Sequence, residues 1–563
     1  MSLLHGNDQA GTGRPRLRRI LVPARGSRGR DDLGVPTIVP NMPETWTRRL
    51  ALAAVAGAAL VVCLVVLRPL DPATIDVDAS ASVLYFRQIV TGDRLDVLVP
   101  TTPKPLLTLI YGISWQLLGD WRVLTWETIA AFVVAVTLAA RLAARLAGPA
   151  AAAFLVVSLL AWPELLRQVA HANGFPWALA LWLAAATAIS APRRSSWLSG
   201  LALFAAGLAR IETIWLVVAG AALLVAKVAR TDRGSRTAVL MADLPIVGLA
   251  SLAVPVMCLH DWLLTGMPLY WLGLARSYTA IVYPTLTPVG LSTFWSTILW
   301  PRYAAELPLV VLAIVGLGRL AMARRWAMTV GLGALIIGVP ATIAVLARQA
   351  VYVDSRYWEE LDAPLRLAAA VGAAALIGLA SARVRAKADR GIRRLVPVAS
   401  LVIAAGLSLA VAWPGVAASD LGDVLAADRA ASIELDAVVD ELGPVLRNAA
   451  GGTRSVSGVE LPVADPTQAR LFAPRADLAR IAVMTEAPYE ALGDNYLAFR
   501  TTRPVDLLRP GQWILHLRVA DGFNGLDLST LELDRTTTLG ELTLVPDIAD
   551  RSRGIWLLRV AGP

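Results

Sequence analysis

The chain of 563 residues is 56% hydrophobic and has a mean hydropathy of +0.59, which excludes an ordinary soluble protein. Its net charge of +9 is unevenly divided. The segment from Gly415 to the end contains 14 Arg, no Lys and 21 acidic residues, a balance of −7, so the part before it has +16. The basic residues stand in short loops between apolar segments, and nucleic-acid binding therefore explains this charge poorly.

The N-terminal segment 1–46 is rich in Arg, Gly and Pro, which predicts a disordered, basic cytoplasmic tail. The first apolar segment, 50–67, begins too late for a signal peptide and lacks a clear cleavage site, so we predict a transmembrane helix there. Cys63 and Cys258 both fall inside apolar segments and indicate no disulfide framework.

Eleven apolar segments are predicted to span the membrane. They are 50–67, 125–143, 149–163, 175–191, 196–209, 213–229, 238–258, 306–323, 327–347, 364–382 and 395–413. A further segment, 105–118, is apolar but short and begins with proline. If it lies along the outer interface instead of crossing, every Arg-rich short loop falls on the cytoplasmic side, as membranes favour. The transmembrane domain then covers 47–414.

The segment 415–563 is predicted to lie outside the cytoplasm as a small α/β domain. It begins with a helical pattern over 421–446. Strand-like runs follow at 513–519, 542–545 and 554–560, with Gly, Pro and Asp turns between them. The predicted fold class is thus an all-α polytopic membrane bundle with interfacial helices in the first outer loop, 69–123, and an α/β domain at the C-terminus.

Ionisable residues are absent from the middle of every predicted span and gather at the outer ends. Transporters usually need such groups at depth, so the pattern favours chemistry at the membrane surface. In the first outer loop, apolar residues recur at helical spacing from Val83, with Asp78 at the expected N-cap and Gly92 at the expected C-cap. Asp78 is interpreted either as a cap or, with Asp76, as a general base or metal ligand in a cavity.

Lys104 is one of only three lysines, and it alone falls on the predicted outer side. It could be an ordinary interfacial lysine or a compact cation for a phosphate group. His171 and His260 could be metal ligands, but four His in the chain give no metal-ligand spacing and favour packing roles. Trp residues in the loop 260–306 could shape a groove or belong to an ordinary aromatic belt. They are Trp262, Trp271, Trp295 and Trp300.

Four motifs on the predicted outer face resemble the GT-C glycosyltransferases that use polyprenyl-phosphate sugars, among them aminoarabinose transferases, protein mannosyltransferases and actinobacterial arabinosyl- and mannosyltransferases. The motifs are Asp76-x-Asp78 with Tyr85-Phe-Arg87, Gly92-Asp93 and Lys104-Pro-Leu-Leu; Gly207-Leu-Ala-Arg210-Ile-Glu212; Asp261-Trp-Leu-Leu-Thr-Gly266-Met-Pro268-Leu-Tyr270; and Asp354-Ser-Arg356-Tyr357. The chain departs from the family's pattern where Val77 separates the two acids and where Ile211 replaces a proline. The resemblance covers about residues 50–415.

The resemblance implies an inverting transfer of a sugar from a polyprenyl-phosphate donor to a cell-envelope acceptor, at the outer face of the plasma membrane. It implies a catalytic role for Asp78 or Asp76. It implies donor-phosphate binding by Lys104, Arg356 and Tyr357. Substrate binding would fall to Arg87, Arg210, Glu212, His260 and Asp261.

No cofactor is indicated with certainty, although a divalent cation could bind at Asp76 and Asp78. The implied partners are the lipid-linked donor, the envelope acceptor and the bilayer. The rival interpretation is a non-enzymatic polytopic protein, either a flippase for a lipid-linked sugar or an envelope scaffold. A flippase is expected to have polar groups along a continuous path, which the predicted spans lack.

Overall fold

The computed structural model describes residues 44–69, 71, 74–92, 104–191, 195–268, 270, 286–351, 355–447, 469–473, 475–485, 492–494, 504–517, 528, 532–550 and 555–562. The chain divides into two compact units, Met1–Met42 and Pro43–Pro563, and all described residues belong to the second. The predicted tail therefore lies outside the described residues, apart from its last three positions. Those three positions begin the first helix.

Helices dominate the described part of the chain. They are α1 (Glu44–Leu67), α2 (Val77–Thr91), α3 (Pro105–Leu118), α4 (Arg122–Ala147), α5 (Pro149–Leu160), α6 (Pro163–Ala170), α7 (Phe175–Ile189), α8 (Ser196–Ala209), α9 (Ile214–Ala229), α10 (Arg236–Ser251), α11 (Ala253–Thr265), α12 (Leu291–Thr293), α13 (Trp300–Ala305), α14 (Leu307–Met322), α15 (Trp326–Arg348), α16 (Glu359–Lys387), α17 (Arg390–Ala417), α18 (Leu421–Arg447), α19 (Arg475–Thr485) and α20 (Pro504–Leu507). A π-helical stretch, Phe294–Leu299, joins α12 to α13.

Among the described residues, seven helical segments are long and apolar enough to cross a membrane, and up to nine if each bent pair counts as one span. The chain is therefore a multi-pass membrane protein. The predicted count of eleven is not confirmed, because α7 and α8 are shorter than a span requires. The two bent pairs are α5 with α6, at 59°, and the α12–α13 segment with α14, at 91°. Helix α3 has the bounds predicted for the interfacial segment, and it too is shorter than a span.

Helices α14 and α16 touch backbone to backbone. A Cβ on Gly316 would lie 1.8 Å from the carbonyl oxygen of Ala368, and one on Gly372 would lie 2.0 Å from that of Leu312. Membrane helices commonly use small residues for such close approach, because lipid provides little hydrophobic force to press helices together. This contact holds α16, whose first turn contributes several acids to the site described below.

The C-terminal region contains a six-stranded mixed sheet in the order β2–β1–β3–β6–β5–β4. Its strands are β1 (Leu471–Ala473), β2 (Leu492–Asp494), β3 (Trp513–Leu517), β4 (Thr537–Leu539), β5 (Leu542–Asp550) and β6 (Ile555–Ala561). Strand β1 pairs in parallel with β2 and β3, and the remaining neighbours are antiparallel. The predicted helix and the three predicted strand-like runs overlap α18, β3, β5 and β6.

Alternating side chains of the strands pack on the two faces of this sheet, as the period of two in a strand requires. On β3, Leu515 faces a core shared with α18 and α19, whereas Ile514 faces a second core with Trp556 and Val560. The first of these cores continues into α2 and α3, where it includes Leu84 and other buried residues. Helix α2 is therefore covered by protein on much of its surface.

Candidate functional site

A buried ion pair joins the first turn of α2 to the start of α3. The ammonium Nζ of Lys104 lies 2.5 Å from Oδ2 of Asp78, and the two side chains are only 6% and 2% exposed. Lys104 is the residue directly before Pro105, which begins α3. The prediction that a carboxylate and the lone outer lysine meet at one place agrees with this geometry. Each charge offsets the desolvation of the other, and removal of either would leave an uncompensated buried charge.

The N-cap of α2 is Asp76, so the expectation that Asp78 occupies this position is wrong. Oδ1 of Asp76 accepts a hydrogen bond from the backbone N–H of Val77 at 2.6 Å, and Gly92 caps the other end with φ 77° as expected. The helix begins two residues earlier than the apolar spacing suggested. Asp78 therefore lies within the first turn, where its side chain points into the protein.

The segment 171–174 holds Asp76 from the other side. The amide Nδ2 of Asn173 donates to Oδ2 of Asp76 at 3.1 Å, and the backbone N–H of Asp76 donates to the carbonyl of His171 at 3.2 Å. Ala172 has φ 53°, a left-handed conformation that costs free energy in a residue with a Cβ. Both carboxylate oxygens of Asp76 thus have structural partners. Sequence reasoning missed Asn173, which carries no charge and belongs to no motif.

Tyr111 ties α3 to the same segment. Its hydroxyl donates to the carbonyl of Ala172 at 2.9 Å, lies 2.8 Å from Oγ1 of Thr128, and accepts from Nε1 of Trp177 at 3.1 Å. Burial raises the pKa of this phenol above its ordinary value, so it stays neutral. The network fixes α3, and with it Lys104, against α4 and α7.

A second polar cluster follows the end of α8. Nε of Arg210 lies 3.3 Å from Oε1 of Glu360, and both side chains are buried. Nε2 of Gln168 donates to Oε1 of Glu359 at 3.0 Å. Glu212, two residues after Arg210, is buried beside Glu360. The structure therefore brings the predicted pair Arg210 and Glu212 together with two glutamates of α16.

Glu359 and Glu360 were not among the predicted site residues. The sequence interpretation placed them in a short outer turn ahead of a span that begins at 364, whereas the helix begins with Glu359 itself. The available signal was the run of three acids at 359, 360 and 362 immediately before an apolar segment. Burying an ionisable group at the end of a membrane helix costs free energy. Such residues are therefore candidates for a functional role.

The two clusters meet at Gly174. The position of a Cβ on this residue would lie 3.6 Å from Cδ of Lys104 and 3.2 Å from the carbonyl oxygen of Ala209, the residue before Arg210. A Cβ here would be crowded, because α3, α7 and the end of α8 approach one another closely. At this residue the aliphatic stem of Lys104 therefore comes close to the backbone that leads into the second cluster.

His260 and Asp261 lie near the first cluster, at the end of α11. Nε2 of His260 is 2.9 Å from Oγ1 of Thr108, and its ring packs edge-on against Tyr85 with the centroids 5.8 Å apart. Thr108 is one helical turn after Lys104. Asp261 is buried. His260 therefore braces α2 and α3 against each other, which fits the packing role expected for it.

The other predicted site residues lie elsewhere or outside the described side chains. Nη1 of Arg87 donates to the carbonyl of Ala482 in α19 at 3.0 Å, so Arg87 contacts the C-terminal region. Tyr357 is half-buried against the helical core. The side chain of Arg356 lies outside the described part of the structure, and its expected contact with a phosphate stays a prediction.

A third set of polar contacts surrounds Asp362 on α16. Nη2 of Arg302 lies 2.8 Å from Oδ2 of Asp362, and the hydroxyl of Tyr303 donates to Oδ1 at 3.3 Å. One turn later on α16, Arg366 donates to Oγ of Ser158 at 2.9 Å. Sequence reasoning missed this set as well. It joins α13 and α5 to the helix that carries Glu359 and Glu360.

The C-terminal region docks on the elements that form the first cluster. Nε2 of His171 lies 2.9 Å from Oδ2 of Asp428 in α18. Arg480 of α19 donates to Asp436 at 2.8 Å, and its guanidinium lies 5.8 Å from the ring centroid of Trp121. The contacts of His171 show that it serves in docking α18. Within the described residues, no three His, Cys, Asp or Glu side chains are grouped so that they could hold a metal ion.

No family model and no curated protein matches the chain. ArnT from Cupriavidus metallidurans in the apo state resembles it at 14% identity and TM-score 0.47, over 92% of this chain and 100% of that one. The same protein bound to undecaprenyl phosphate gives 15% identity and TM-score 0.42, over 93% and 100%. An Archaeoglobus fulgidus oligosaccharyltransferase tethered with an acceptor peptide resembles it at 12% identity and TM-score 0.48. That match covers 84% of this chain and 70% of the other. Likenesses with TM-scores below 0.5 do not establish a family, so the function must be inferred from the residues.

Proposed function

We propose that the protein is an integral membrane glycosyltransferase of the GT-C type. It transfers a sugar from a polyprenyl-phosphate donor to an acceptor of the cell envelope, with inversion at the anomeric carbon. The observation that carries this proposal is the buried Asp78–Lys104 ion pair, which lies beside the Arg210, Glu212 and Glu360 cluster at Gly174. The proposed base, the proposed phosphate-binding cation and the polar side chains of the second cluster are thereby gathered at the ends of apolar helices.

Asp78 is the preferred base of the two candidate acids. Both carboxylate oxygens of Asp76 already accept hydrogen bonds from structural partners, whereas Asp78 contacts the proposed phosphate-binding cation directly. Asp78 takes the proton of the acceptor hydroxyl, whose oxygen attacks the anomeric carbon from the face opposite the phosphate. The bond between that carbon and the phosphate oxygen breaks, and the electron pair leaves with the lipid phosphate.

Lys104, with Arg356 and Tyr357, is proposed to bind the donor phosphate. An ammonium has three N–H donors, so Lys104 can contact Asp78 and a phosphate oxygen together. Its charge stabilises the leaving phosphate, which is a weak base and needs no strong acid. When the phosphate arrives, it competes with Asp78 for the ammonium, and this competition makes Asp78 more available to accept a proton.

The second cluster is proposed to position substrate hydroxyls. Buried carboxylates at Glu212, Glu359 and Glu360 can accept hydrogen bonds from sugar hydroxyls, and Arg210 orients Glu360. Asp261 and His260, which lie near the first cluster at the end of α11, are proposed to contact the substrate there. Arg87 is proposed to act at the border with the C-terminal region, where its side chain lies.

The proposed orientation places the tail 1–46 in the cytoplasm and the domain 415–563 outside, with the transmembrane domain 47–414 in the plasma membrane. The packing of α18 and α19 near α2 supports the proposal that the site and the C-terminal domain lie on the same side of the membrane. The acceptor then reaches the site from the envelope, and the lipid-linked donor from the adjacent leaflet.

Sugar transfer by membranes that contain the full chain tests the proposal. Membranes are incubated with radiolabelled polyprenyl-phosphate mannose, arabinose and similar donors, and label in envelope material is counted. Transfer that depends on the chain and disappears in the Asp78→Asn variant is expected. If no donor supports transfer and removal of charge at Asp76, Asp78, Lys104 and Arg356 together has no effect on envelope composition, a scaffold explains the chain better.

A further inference from the structure

A large cavity lies between α5, α7, α9, α10, α15 and α16, and one end of it reaches Ala363 and Pro364, one turn after Glu359 and Glu360 on α16. Its volume is about 870 Å³. Protein interiors contain few voids larger than a water molecule, so a space of this size is a candidate ligand site. The volume falls in the range of ordinary ligand pockets.

The lining of this cavity is amphipathic along its length. Most of it consists of aliphatic side chains and Trp182, whose indole N–H is bonded to Thr213. The charged side chains of the lining are Lys227, Arg230, Asp243 and Arg324. Three of these four are cations, and they belong to two of the basic loops, 227–236 and 319–325. The occupant therefore combines long apolar chains with an anionic group.

The cationic end faces away from the proposed active site. Helix α9 follows directly on the Arg210–Thr213 segment and ends at Ala229, beside Lys227 and Arg230. A helix of 16 residues is about 24 Å long at 1.5 Å per residue. A donor whose phosphate is bound at Lys104 thus cannot place the same phosphate at Arg230.

The cations at this end are accessible to a headgroup. Lys227 is bound to Asp243 at 2.8 Å, which neutralises one positive charge. Arg230 and Arg324 are exposed, and their side chains form no hydrogen bond or ion pair with the part of the chain that the structure describes. Basic pockets between membrane helices on the cytoplasmic side are a known arrangement for anionic lipid headgroups.

We infer that this cavity binds one anionic phospholipid from the leaflet next to the basic loops. Its acyl chains fill the apolar interior as far as Leu367, and its phosphate lies between Arg230 and Arg324. The lipid packs against α9, which follows Glu212, and against α16, which contains Glu360. It thereby stabilises the positions of the helices that carry the second cluster.

Lipid binding to the purified full-length protein tests this inference without an assay of sugar transfer. Phosphatidylglycerol and phosphatidylcholine with the same acyl chains are titrated in detergent, and binding is followed by native mass spectrometry and by the midpoint of thermal unfolding. One tightly bound phosphatidylglycerol is expected, with at least tenfold weaker binding of phosphatidylcholine. The Arg230→Gln/Arg324→Gln variant should bind phosphatidylglycerol roughly 30-fold more weakly, about fivefold for each cation removed.

Matched variants separate the cavity from the general surface. Arg390→Gln/Arg394→Gln removes two exposed cations at another basic loop and should leave the affinity unchanged. Gly331→Phe places a ring in the cavity, where a Cβ meets only Leu216 at 3.8 Å, and should exclude the lipid. Gly333→Phe, two residues away on the same helix and outside the cavity, should not.

Three results would overturn the inference. They are equal affinity for the two phospholipids, an equal loss in the two arginine pairs, and retention of the bound lipid in Gly331→Phe. Displacement of phosphatidylglycerol by undecaprenyl phosphate, with that binding lost in Gly331→Phe, would assign the cavity to the donor's chain instead. None of these outcomes bears on whether Asp78 and Lys104 support sugar transfer, so the two proposals fail separately.

Discussion

Lys104 and Asp78 form an ion pair that is almost fully buried, with Nζ 2.5 Å from Oδ2. The pair joins two helices that the sequence separates by a segment outside the described residues. Removing one partner of a buried pair leaves a charge without compensation, and this commonly costs about 3–5 kcal/mol. The pair is therefore important both for the fold of α2 and α3 and for the proposed chemistry.

Asp78→Asn is expected to abolish sugar transfer, with a loss of roughly 100-fold or more because a general base is removed. Asparagine keeps the shape of the side chain and an oxygen that accepts from Lys104, but it leaves the buried ammonium without a counter-charge, so the protein should fold with a lowered midpoint of thermal unfolding. Transfer is measured in membranes, and folding by thermal unfolding of the purified protein. Asp120→Asn, at a partly exposed acid near the start of α4, should keep its activity. Full activity of Asp78→Asn would remove Asp78 from the mechanism.

Lys104→Met is expected to weaken donor binding and to lower stability, because Asp78 then lies buried opposite an apolar group. The double variant Asp78→Asn/Lys104→Met should recover most of the stability but none of the activity, since no charge is left uncompensated. Thermal unfolding and binding of undecaprenyl phosphate are the two measurements. Lys387→Met, at the far end of α16, is the control. Unchanged lipid-phosphate affinity in Lys104→Met would contradict the phosphate role.

Gly372→Ala is expected to destabilise the protein strongly. The added Cβ would lie 2.0 Å from the carbonyl oxygen of Leu312, so α14 and α16 must move apart, and overpacking of this kind costs about 1–3 kcal/mol or more. Gly378→Ala, on the same helix with open space around it, should be neutral or slightly stabilising. The midpoints of thermal unfolding of the two variants are compared, and equal values would count against the close contact.

Arg480→Met is expected to loosen the C-terminal region in a pH-dependent way. Partial burial raises the pKa of Asp436, and Arg480 counteracts this shift. Without Arg480 the folded-state pKa of Asp436 rises further above its unfolded value. The destabilisation is therefore small where this carboxyl is protonated in both states, and it grows as the pH rises through the folded pKa.

The measurement for Arg480 is the difference in thermal midpoint between the variant and the wild type at pH 4 and at pH 7.5. A larger difference at pH 7.5 is expected. Arg535→Met, at an exposed ion pair with Glu532, gives the control and should show little difference at either pH. A larger effect at pH 4 would show that Asp436 is not the group involved.

The orientation is tested with single cysteines in a variant that lacks Cys63 and Cys258. A cysteine at the exposed position Glu532 should react with a membrane-impermeant reagent added outside intact cells. One at Gly391, an exposed position in the first turn of α17, should react only after the cells are opened. The reverse pattern would place the proposed site in the cytoplasm and exclude an envelope acceptor.

Much of the helical framework could be predicted from local sequence. Pro105 and Gly119 bound α3 where the apolar pattern begins and ends, and Gly92 ends α2 with the left-handed conformation expected of a C-cap. Such signals act over a few residues, so composition and spacing reveal them. The expectation that Lys104 and the acids of the first loop belong to one site came from their common place on the predicted outer side, where Lys104 is the only lysine.

The partners of the second cluster could not be predicted in the same way. Glu360 is far from Arg210 in the sequence, so their contact depends on how α16 packs in the bundle. The glycines through which α16 packs against α14 carry no chemical signal of their own. Asp76 rather than Asp78 caps α2 because the helix begins two residues earlier than expected. Asn173 fixes that start, and an uncharged amide in a short connection gives no pattern to detect.

The apolar core that runs from α2 and α3 into α18, α19 and the sheet has a practical consequence for work on this protein. Expression of the membrane part alone would uncover Leu84 and its neighbours to water, and the isolated sheet domain would expose Leu435 and Leu442 in the same manner. Truncated versions are therefore expected to aggregate, and crystallisation, antibody selection and directed evolution are better begun with the intact polypeptide.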